Sequence, residues 1–275
     1  MIRATLGDRY TVERELARGG AARIFSARDG SGRLVALKIL HPELLPSLTA
    51  KRFLREIAYL AQLQHPHIAP LLDYGESEWL LYFVMPFVDG PTLRQHLDQV
   101  GRLPLRDAAT VAAETLDALE YAHGKGIVHR DVKPENIVLS STAGTVLVDF
   151  GIARAIAASE SDRVTRSGFT VGTTLYMSPE QAAGAKELDH RSDIYSCGCL
   201  LFECLAGRPP FQHSVDAAVL EMHQRMPAPD VRDLVPGVPK AVAKVVSRAL
   251  EKNPGDRWQS AAAMREEVLR AATAE

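Results

Sequence analysis

The chain has 275 residues, of which 46% are hydrophobic and 24% are charged. This balance is typical of a soluble globular protein and excludes a disordered chain, and the length predicts about two domains. With 32 basic and 34 acidic residues the net charge is −2, which gives no support for general binding to nucleic acid or to membrane surfaces. Three cysteines, an odd number, argue against a disulfide scaffold and favour a reducing compartment.

The first third of the chain is rich in predicted strands. The N-terminus has no apolar core of a secretory signal. Short apolar or alternating runs then predict strands at Tyr10–Leu16, Ala22–Asp29, Leu34–Leu40 and Leu80–Phe87. Because alternate side chains of a strand share a face, we expect Lys38 to lie with Ala36, opposite Leu37 and its alternate neighbours.

Helical periodicity dominates the rest of the chain. It predicts helices at Thr49–Leu63 and Leu105–His123, and a mostly helical region from about residue 92 onward. The segments Ile127–Ser140 and Thr145–Phe150 are β-like. Residues 155–172 are polar and predict a long surface loop, which in a compact domain is usually functional or disordered.

The most apolar stretch, Ile194–Ala206, is too short to span a bilayer and contains Glu203. It predicts a helix buried on most sides. Its cysteines, Cys197, Cys199 and Cys204, lack the usual spacing of zinc ligands, so we expect them to pack in the core.

The stretch richest in chemistry is His129–Asn136, which reads His-Arg-Asp-Val-Lys-Pro-Glu-Asn. It places a carboxylate, an ammonium group and a carboxamide within six residues. Alone, such a string could be a solvated turn. Here Val35-Ala36-Leu37-Lys38 precedes it, and Asp149-Phe150-Gly151 and Ser178-Pro179-Glu180 follow it, so chance agreement is a poor explanation.

In this order the motifs closely resemble the eukaryotic-type (Hanks-type) protein kinase family, specifically its bacterial serine/threonine kinases. The resemblance runs from about Tyr10 to about Leu269. It implies a bilobal α+β fold, with a small β-rich lobe over residues 1–88 and a larger helical lobe over 89–275, together one kinase domain over 10–269. It implies transfer of the γ-phosphate of MgATP, bound in the cleft between the lobes, to serine or threonine hydroxyls of proteins.

Phosphoryl transfer needs charge neutralisation and an oriented hydroxyl more than covalent chemistry. The resemblance assigns hydroxyl orientation to Asp131, γ-phosphate neutralisation to Lys133, α/β-phosphate binding to Lys38 and positioning of that lysine to Glu56. Two metal ligands are implied, Asn136 and Asp149. Their oxygen atoms suit Mg²⁺, with Mn²⁺ as the alternative ion.

The nucleotide loop departs from the family pattern. Alanine replaces glycine at Ala17 and Ala22, while Gly19 is kept and Gly20 is added. Because alanine disfavours positive φ, both alanines must adopt strand-like angles. The resemblance completes the nucleotide pocket with Leu16, Ile24, Ala36, Met85, Pro86, Val88 and Val138, among which Met85 is the gatekeeper and the Pro86 carbonyl and Val88 N–H face the adenine.

The second half resembles a protein-substrate region. Thr173 is expected to touch Asp131 and Lys133, and Asp193 to anchor the backbone of the catalytic loop. A further pair, Glu180 with Arg257, is expected to be structural.

Arg130 precedes the catalytic aspartate, and in this family such an arginine marks kinases organised by a phosphate on the activation loop. We hypothesise autophosphorylation at Thr165 or Ser167, with Thr170 as a further candidate, and a phosphate there could bond to Arg130 and order residues 155–172.

Two other functions stay open. A small-molecule kinase of the antibiotic-phosphotransferase type would share the carboxylates but lack the Gly-Thr and Ser-Pro-Glu segments. A pseudokinase scaffold is supported by Ala17 and Ala22 alone. The expected partners are ATP, protein substrates and, for autophosphorylation, a transient second copy of the chain, without nucleic acid or membrane contact. The expected location is the cytoplasm, either for the whole protein or as the cytoplasmic part of a longer membrane-anchored one.

Overall fold

The computed structural model describes residues 6–19, 22–40, 57–58, 60–77, 80–149 and 173–273. The chain divides after Asp89 into two compact units. The first is built on a five-stranded antiparallel sheet with the order β1-β2-β3-β5-β4. Its strands are β1 (Tyr10–Arg18), β2 (Ala22–Asp29), β3 (Leu34–Leu40), β4 (Asp73–Ser77) and β5 (Leu80–Pro86). All four predicted strands are therefore confirmed.

One face of this sheet forms the core of the first unit. Val35 and Leu37 of β3 are fully buried and Ile39 is 5% exposed, and they pack with Phe25 and Tyr82 of the neighbouring strands. Lys38 lies on the opposite face, as the alternation predicted. There it pairs with Phe83 of β5, and its Nζ is 5.4 Å from the centroid of that ring.

The turn between β1 and β2 is tied by a backbone bond from Gly19 N to Ala22 O of 2.9 Å. Ala17 and Ala22 lie within the strands, where they pair with Ile24 and Leu40. Their strand-like conformation confirms the prediction made from the lost glycines. Gly20 lies outside the described residues.

The second unit is mainly helical. Its helices are α1 (Leu93–Val100), α2 (Leu105–Gly124), α3 (Pro179–Ala182), α4 (Arg191–Ala206), α5 (Asp216–Arg225), α6 (Val231–Leu234), α7 (Lys240–Ala249) and α8 (Ala261–Thr273). A two-stranded antiparallel sheet joins β6 (Ile137–Ser140) to β7 (Gly144–Leu147). The α+β fold class, a small sheet-rich part and a larger helical part, is confirmed.

Helix α4 is the centre of the second unit, and α2 and α7 pack against it. Almost every α4 side chain is buried, because the helix is apolar on most sides. Its cysteines, Cys197, Cys199 and Cys204, are fully buried, which confirms their predicted core packing. Burial raises the pKa of the Cys197 thiol to about 12.

Two segment predictions need correction or lie outside the described chain. Of Ile127–Ser140 only Ile137–Ser140 is a strand, because the preceding backbone bonds to side chains rather than to a neighbouring strand and Pro134 begins a 3₁₀ turn. Most of the helix predicted at Thr49–Leu63 lies outside the described residues. Within the described ranges, no helix combines the length and the apolar character needed to cross a bilayer.

Candidate active site

Asp193, in the first turn of α4, anchors the backbone of the loop before β6. The Asp193 carboxylate is fully buried. It accepts hydrogen bonds from the backbone N–H of His129 at 2.8 Å and of Arg130 at 2.7 Å, and His123 Nε2 lies 2.8 Å from it. Asp193 is therefore a loop anchor rather than a helix cap, and the sequence-predicted contact with the loop is present.

Arg130 adopts a left-handed conformation with φ of 66°, alone in this among the non-glycine residues of the described chain. Such a conformation costs about 1–2 kcal/mol for a residue with a Cβ. It persists only where surrounding contacts over-determine it, and such strain is concentrated at functional sites. Here the strained residue stands immediately before Asp131.

Lys133 and Asn136 both contact one carboxylate oxygen of Asp131. Lys133 Nζ is 2.8 Å from Asp131 Oδ2, and Asn136 Nδ2 donates to the same oxygen at 3.0 Å. Asn136 Nδ2 also donates to the Asp131 backbone carbonyl at 2.8 Å. These bonds fix the rotation of the Asp131 carboxylate. Its side chain is 13% exposed and that of Lys133 is 14% exposed, so both charges are largely shielded from water.

Asn136 and Asp149 are brought together by the small sheet. The strands pair Ile137 with Leu147, and Val148 N continues the ladder by donating to Asn136 O at 3.0 Å. Asp149 follows directly. The pair fits a divalent cation, since both residues carry hard oxygen ligands and the Asn136 amide, with Nδ2 turned to Asp131, directs its oxygen away from that residue.

The predicted nucleotide residues of the first unit lie along four neighbouring strands, β1, β2, β3 and β5. The register of β3 and β5 pairs Ala36 with Met85, which is 6% exposed, and Val35 with Pro86. Residues of the β1–β2 hairpin complete this set, namely Leu16, Ala17, Gly19, Ala22 and Ile24. Val88 follows β5. Glu56, the expected partner of Lys38, lies outside the described residues.

Val138 lies on β6 of the second unit, and Gly90 makes room for this strand. A Cβ on Gly90 would lie 2.1 Å from the Leu139 carbonyl oxygen, and its φ of 118° is a conformation that glycine alone adopts readily. Leu139 N donates to Pro91 O at 2.9 Å and holds the segment after Gly90 against β6. The chain thus needs glycine where it enters the second unit.

Glu180 and Arg257 form the predicted ion pair. Both guanidinium Nη atoms donate to the Glu180 carboxylate at 2.8 Å, and Arg257 is fully buried. Burial alone would raise the pKa of Glu180, but hydrogen bonds from Arg257 and Ser192 lower it below its ordinary value. The pair ties the segment after residue 172 to the C-terminal part of the second unit.

The three predicted phosphorylation positions, Thr165, Ser167 and Thr170, lie outside the described residues. Thr173 begins a 3₁₀ turn at Thr173–Tyr176, and its side chain is likewise outside them. Its expected contact with Asp131 and Lys133 stays a prediction.

Two sets of residues escaped the sequence reasoning. Gln181 Nε2 donates to the Arg130 carbonyl at 2.9 Å. Arg94 of α1 bonds to Glu135 of the loop at 3.1 Å and to Glu203 of α4 at 2.9 Å. For Gln181 a local signal existed, since Ser178 and Gln181 form the S-x-x-Q pattern of a capping box. For Arg94 no local pattern exists, because its partners lie far along the chain.

Comparison with known proteins gives a family and close relatives. The model of the protein kinase domain matches residues 10–269. The serine/threonine-protein kinase PknB of Mycobacterium leprae is 42% identical over 96% of this chain and 43% of its own length. The DNA damage-responsive serine/threonine-protein kinase RqkA of Deinococcus radiodurans is 43% identical, over 94% of this chain and 39% of its own. The chain spans about two fifths of the length of these curated relatives.

Proposed function

Because the chain belongs to the protein kinase domain family, we propose that it is a protein serine/threonine kinase that transfers the γ-phosphate of ATP to a protein hydroxyl. The observation that carries the proposal is the convergence of Lys133 and Asn136 on the Asp131 carboxylate. Relatives that are themselves serine/threonine-protein kinases support the same activity.

In the proposed reaction the hydroxyl oxygen of the substrate forms a bond to the γ-phosphorus while the bond to the β–γ bridging oxygen breaks, and ADP leaves. Asp131 accepts a hydrogen bond from that hydroxyl, orients it and takes its proton. Lys133, at 2.8 Å from the Asp131 carboxylate, neutralises charge on the transferred phosphoryl group. Asn136 keeps the carboxylate from rotating.

Protein kinases use ATP with a divalent metal ion. We assign Asn136 and Asp149 as its ligands and Mg²⁺ as the ion, because a carboxylate and an amide oxygen beside phosphates suit the octahedral preference of Mg²⁺. When bound, Mg²⁺ neutralises charge on the β- and γ-phosphate oxygens.

We propose a set of nucleotide-binding residues. Lys38, held by Glu56, binds the α- and β-phosphates, and the β1–β2 hairpin covers the phosphates with Ala17, Gly19, Gly20 and Ala22. The adenine is bound by apolar side chains and by the backbone after Met85: Leu16, Ile24, Ala36, Met85, Pro86, Val88 and Val138. The proposed kinase domain covers residues 10–269, with lobes over 1–88 and 89–275.

Asp131→Asn tests the activity. With labelled ATP, Mg²⁺ and a generic protein substrate, we expect the parent chain to label protein and the variant to label it at least about a hundredfold more slowly, since it cannot accept a proton. Asp107→Asn, an exposed carboxylate in the first turn of α2, is the matched control and keeps parental activity. Nucleotide binding without transfer by the parent chain would contradict the proposal and favour a scaffold. Transfer to aminoglycosides but not to proteins would favour a small-molecule kinase.

Regulation by autophosphorylation is a second part of the proposal. A phosphate at Thr165, Ser167 or Thr170 would pair with Arg130 through charge-assisted hydrogen bonds, and one copy of the chain would modify another. Mass spectrometry after incubation with MgATP should find phosphate in the peptides that cover residues 155–172 of the parent chain and not of Asp131→Asn. An active parent chain without phosphate at any of these positions would contradict it.

A further inference from the structure

The carboxamide of Gln181 is used at both ends. Gln181 lies in the short helix α3 directly after Ser178-Pro179-Glu180. Its Oε1 accepts from Ser178 N at 3.0 Å, which completes a capping box with the Ser178 hydroxyl. Its Nε2 donates to the Arg130 carbonyl oxygen at 2.9 Å. The first bond stabilises the start of α3, and the second reaches across 51 residues to the loop that carries Asp131.

The Arg130 carbonyl belongs to the peptide plane that joins Arg130 to Asp131. Arg130 has a φ of 66°, and its N–H is held by Asp193 at 2.7 Å. The bond from Gln181 holds the other backbone group of the same residue. A strained conformation requires such contacts to persist, and the orientation of this plane decides where the Asp131 backbone and side chain point.

We propose that Gln181 is a positioning residue for phosphoryl transfer, which fixes the Arg130–Asp131 peptide plane from the side of the Ser178–Gln181 turn, while Asp193 on α4 fixes the adjoining His129–Arg130 plane. This inference rests on the proposed kinase function. It makes the position of the Asp131 carboxylate depend on the docking of the turn that follows residue 172, in addition to the ion pair of Glu180 with Arg257.

Gln181→Glu separates the two uses of the side chain. A glutamate keeps the acceptor for Ser178 N, so the capping box is retained. It cannot donate to the Arg130 carbonyl when ionised, and its negative oxygen faces that carbonyl instead. Gln181→Met removes donor and acceptor without adding charge, and it shows whether any effect comes from the new charge alone.

The chain offers a matched control at Gln224. Its Nε2 donates to the Ala182 carbonyl at 3.0 Å and therefore holds the same short helix α3, and among the described residues it has no hydrogen bond to the Asp131 loop. Gln224→Glu makes the same chemical change as Gln181→Glu. A general effect of loosening α3 would appear in both variants, and an effect on Asp131 would appear only at Gln181.

Steady-state kinetics with MgATP and a protein substrate give the first measurement. We expect kcat to fall about tenfold in Gln181→Glu and in Gln181→Met, with KM for ATP unchanged, because one hydrogen bond of the positioning set is lost. The ratio of Gln181→Glu to parental kcat should rise as the pH falls toward the pKa of the introduced carboxyl, since the protonated form donates again. Gln224→Glu should keep the parental kcat.

Hydrogen exchange gives a second measurement that does not need activity. Backbone amides of residues 129–133 should exchange several-fold faster in both Gln181 variants, while those of α2 and α4 stay as in the parent chain. In Gln224→Glu the amides of residues 129–133 should exchange as in the parent chain. If the parent chain is active, two results overturn the inference and leave the proposed function standing. The first is a parental kcat in either Gln181 variant, and the second is an equal loss of kcat in Gln224→Glu. An inactive parent chain removes the proposed function, and exchange then decides whether Gln181 holds the loop. Faster exchange supports that contact, and unchanged exchange overturns it.

Discussion

Helix α4 carries two buried carboxylates that are satisfied in different ways. Asp193 at its N-terminal end is fully buried and accepts mainly from backbone N–H groups of the loop that carries Asp131. Glu203 at the other end is 3% exposed and is bonded by side chains, the Arg94 guanidinium and the Tyr176 hydroxyl. The first carboxylate fixes a chain conformation, whereas the second compensates a charge.

The difference predicts what each residue controls. Two backbone bonds to Asp193 hold the strained Arg130, so a change there alters the geometry beside Asp131. The bonds of Glu203 join α1, α4 and the turn at Tyr176, so loss of Arg94 leaves the buried Glu203 carboxylate without its cationic partner. We therefore expect substitution of Asp193 to lower activity strongly, and disruption of the Glu203 contacts to act mainly on stability.

The largest effect is expected for Asp193→Asn. An asparagine offers one acceptor oxygen, so either His129 N–H or Arg130 N–H faces an NH₂ group and loses its bond. The free energy of unfolding should fall by about 3 kcal/mol. Activity should fall by about a hundredfold or more, because misplacing the Asp131 carboxylate by about 1 Å costs that much. Urea unfolding and kcat of the purified variant measure both.

Asp189→Asn is the control for that substitution. Asp189 is exposed and lies just before α4, and among the described residues its side chain bonds only to Arg191, so its change should leave kcat at the parental value. A folded Asp193→Asn variant with parental kcat would show that the left-handed Arg130 does not depend on this carboxylate. The contrast between the two ends of α4 would then be lost.

Arg94→Met tests the other end of the helix. The substitution keeps the apolar stem but leaves Glu203 with Tyr176 alone, and breaking one side of a buried pair costs about 3 kcal/mol or more. We expect a drop of about that size in the free energy of unfolding and a smaller loss of kcat than in Asp193→Asn, since the Asp193 anchor remains. The double variant Arg94→Met with Glu203→Met should regain most of the stability. A double variant no more stable than Arg94→Met would contradict the role given to the unpaired charge.

These contacts also show how much the sequence could predict. The strands near Lys38 followed from local apolar alternation. Asp131, Lys133 and Asn136 followed from one short motif, because residues at most five positions apart on a loop lie close together. The β-like reading of Ile127–Ser140 was wrong over its first part, since the backbone there bonds to Asp193, 63 or 64 residues later. Local strand propensity cannot predict a hydrogen bond from a side chain so far along the chain.

The same limit applies to the side chains missed around the loop. The capping-box pattern of Ser178 and Gln181 indicates a helix start, but not that the remaining amide N–H groups reach the Arg130 carbonyl. Glu203 served in the sequence only as an argument against a membrane span, and its partner Arg94 lies 109 residues earlier. Contacts of this kind depend on how the helices pack together. Periodicity predicts that a helix packs through its apolar face, but not which residues of two helices meet.

The smallest expected effect concerns the pH dependence of stability at Glu203, compared with Glu180, another carboxylate that is bonded by an arginine side chain. Burial raises the pKa of Glu203 above its ordinary value of 4.5, although bonds from Tyr176 and Arg94 oppose the rise. The folded chain therefore binds this proton more tightly than the unfolded chain, so the contribution of Glu203 to stability is greatest at low pH. It is lost as the pH rises from 4.5 through the raised pKa. Glu180, whose pKa is lowered by Arg257 and Ser192, has the opposite sign and loses its contribution to stability as the pH falls.

Urea unfolding from pH 4.5 to 7.5 should thus show that the free energy of unfolding of Glu203→Gln rises relative to the parent chain by on the order of 1 kcal/mol as the pH rises. Glu180→Gln should keep a nearly constant difference from the parent chain over the same range, because the contribution of Glu180 is lost mainly below pH 4.5. A difference from the parent chain that is independent of pH at Glu203 would contradict the assignment of its raised pKa to burial.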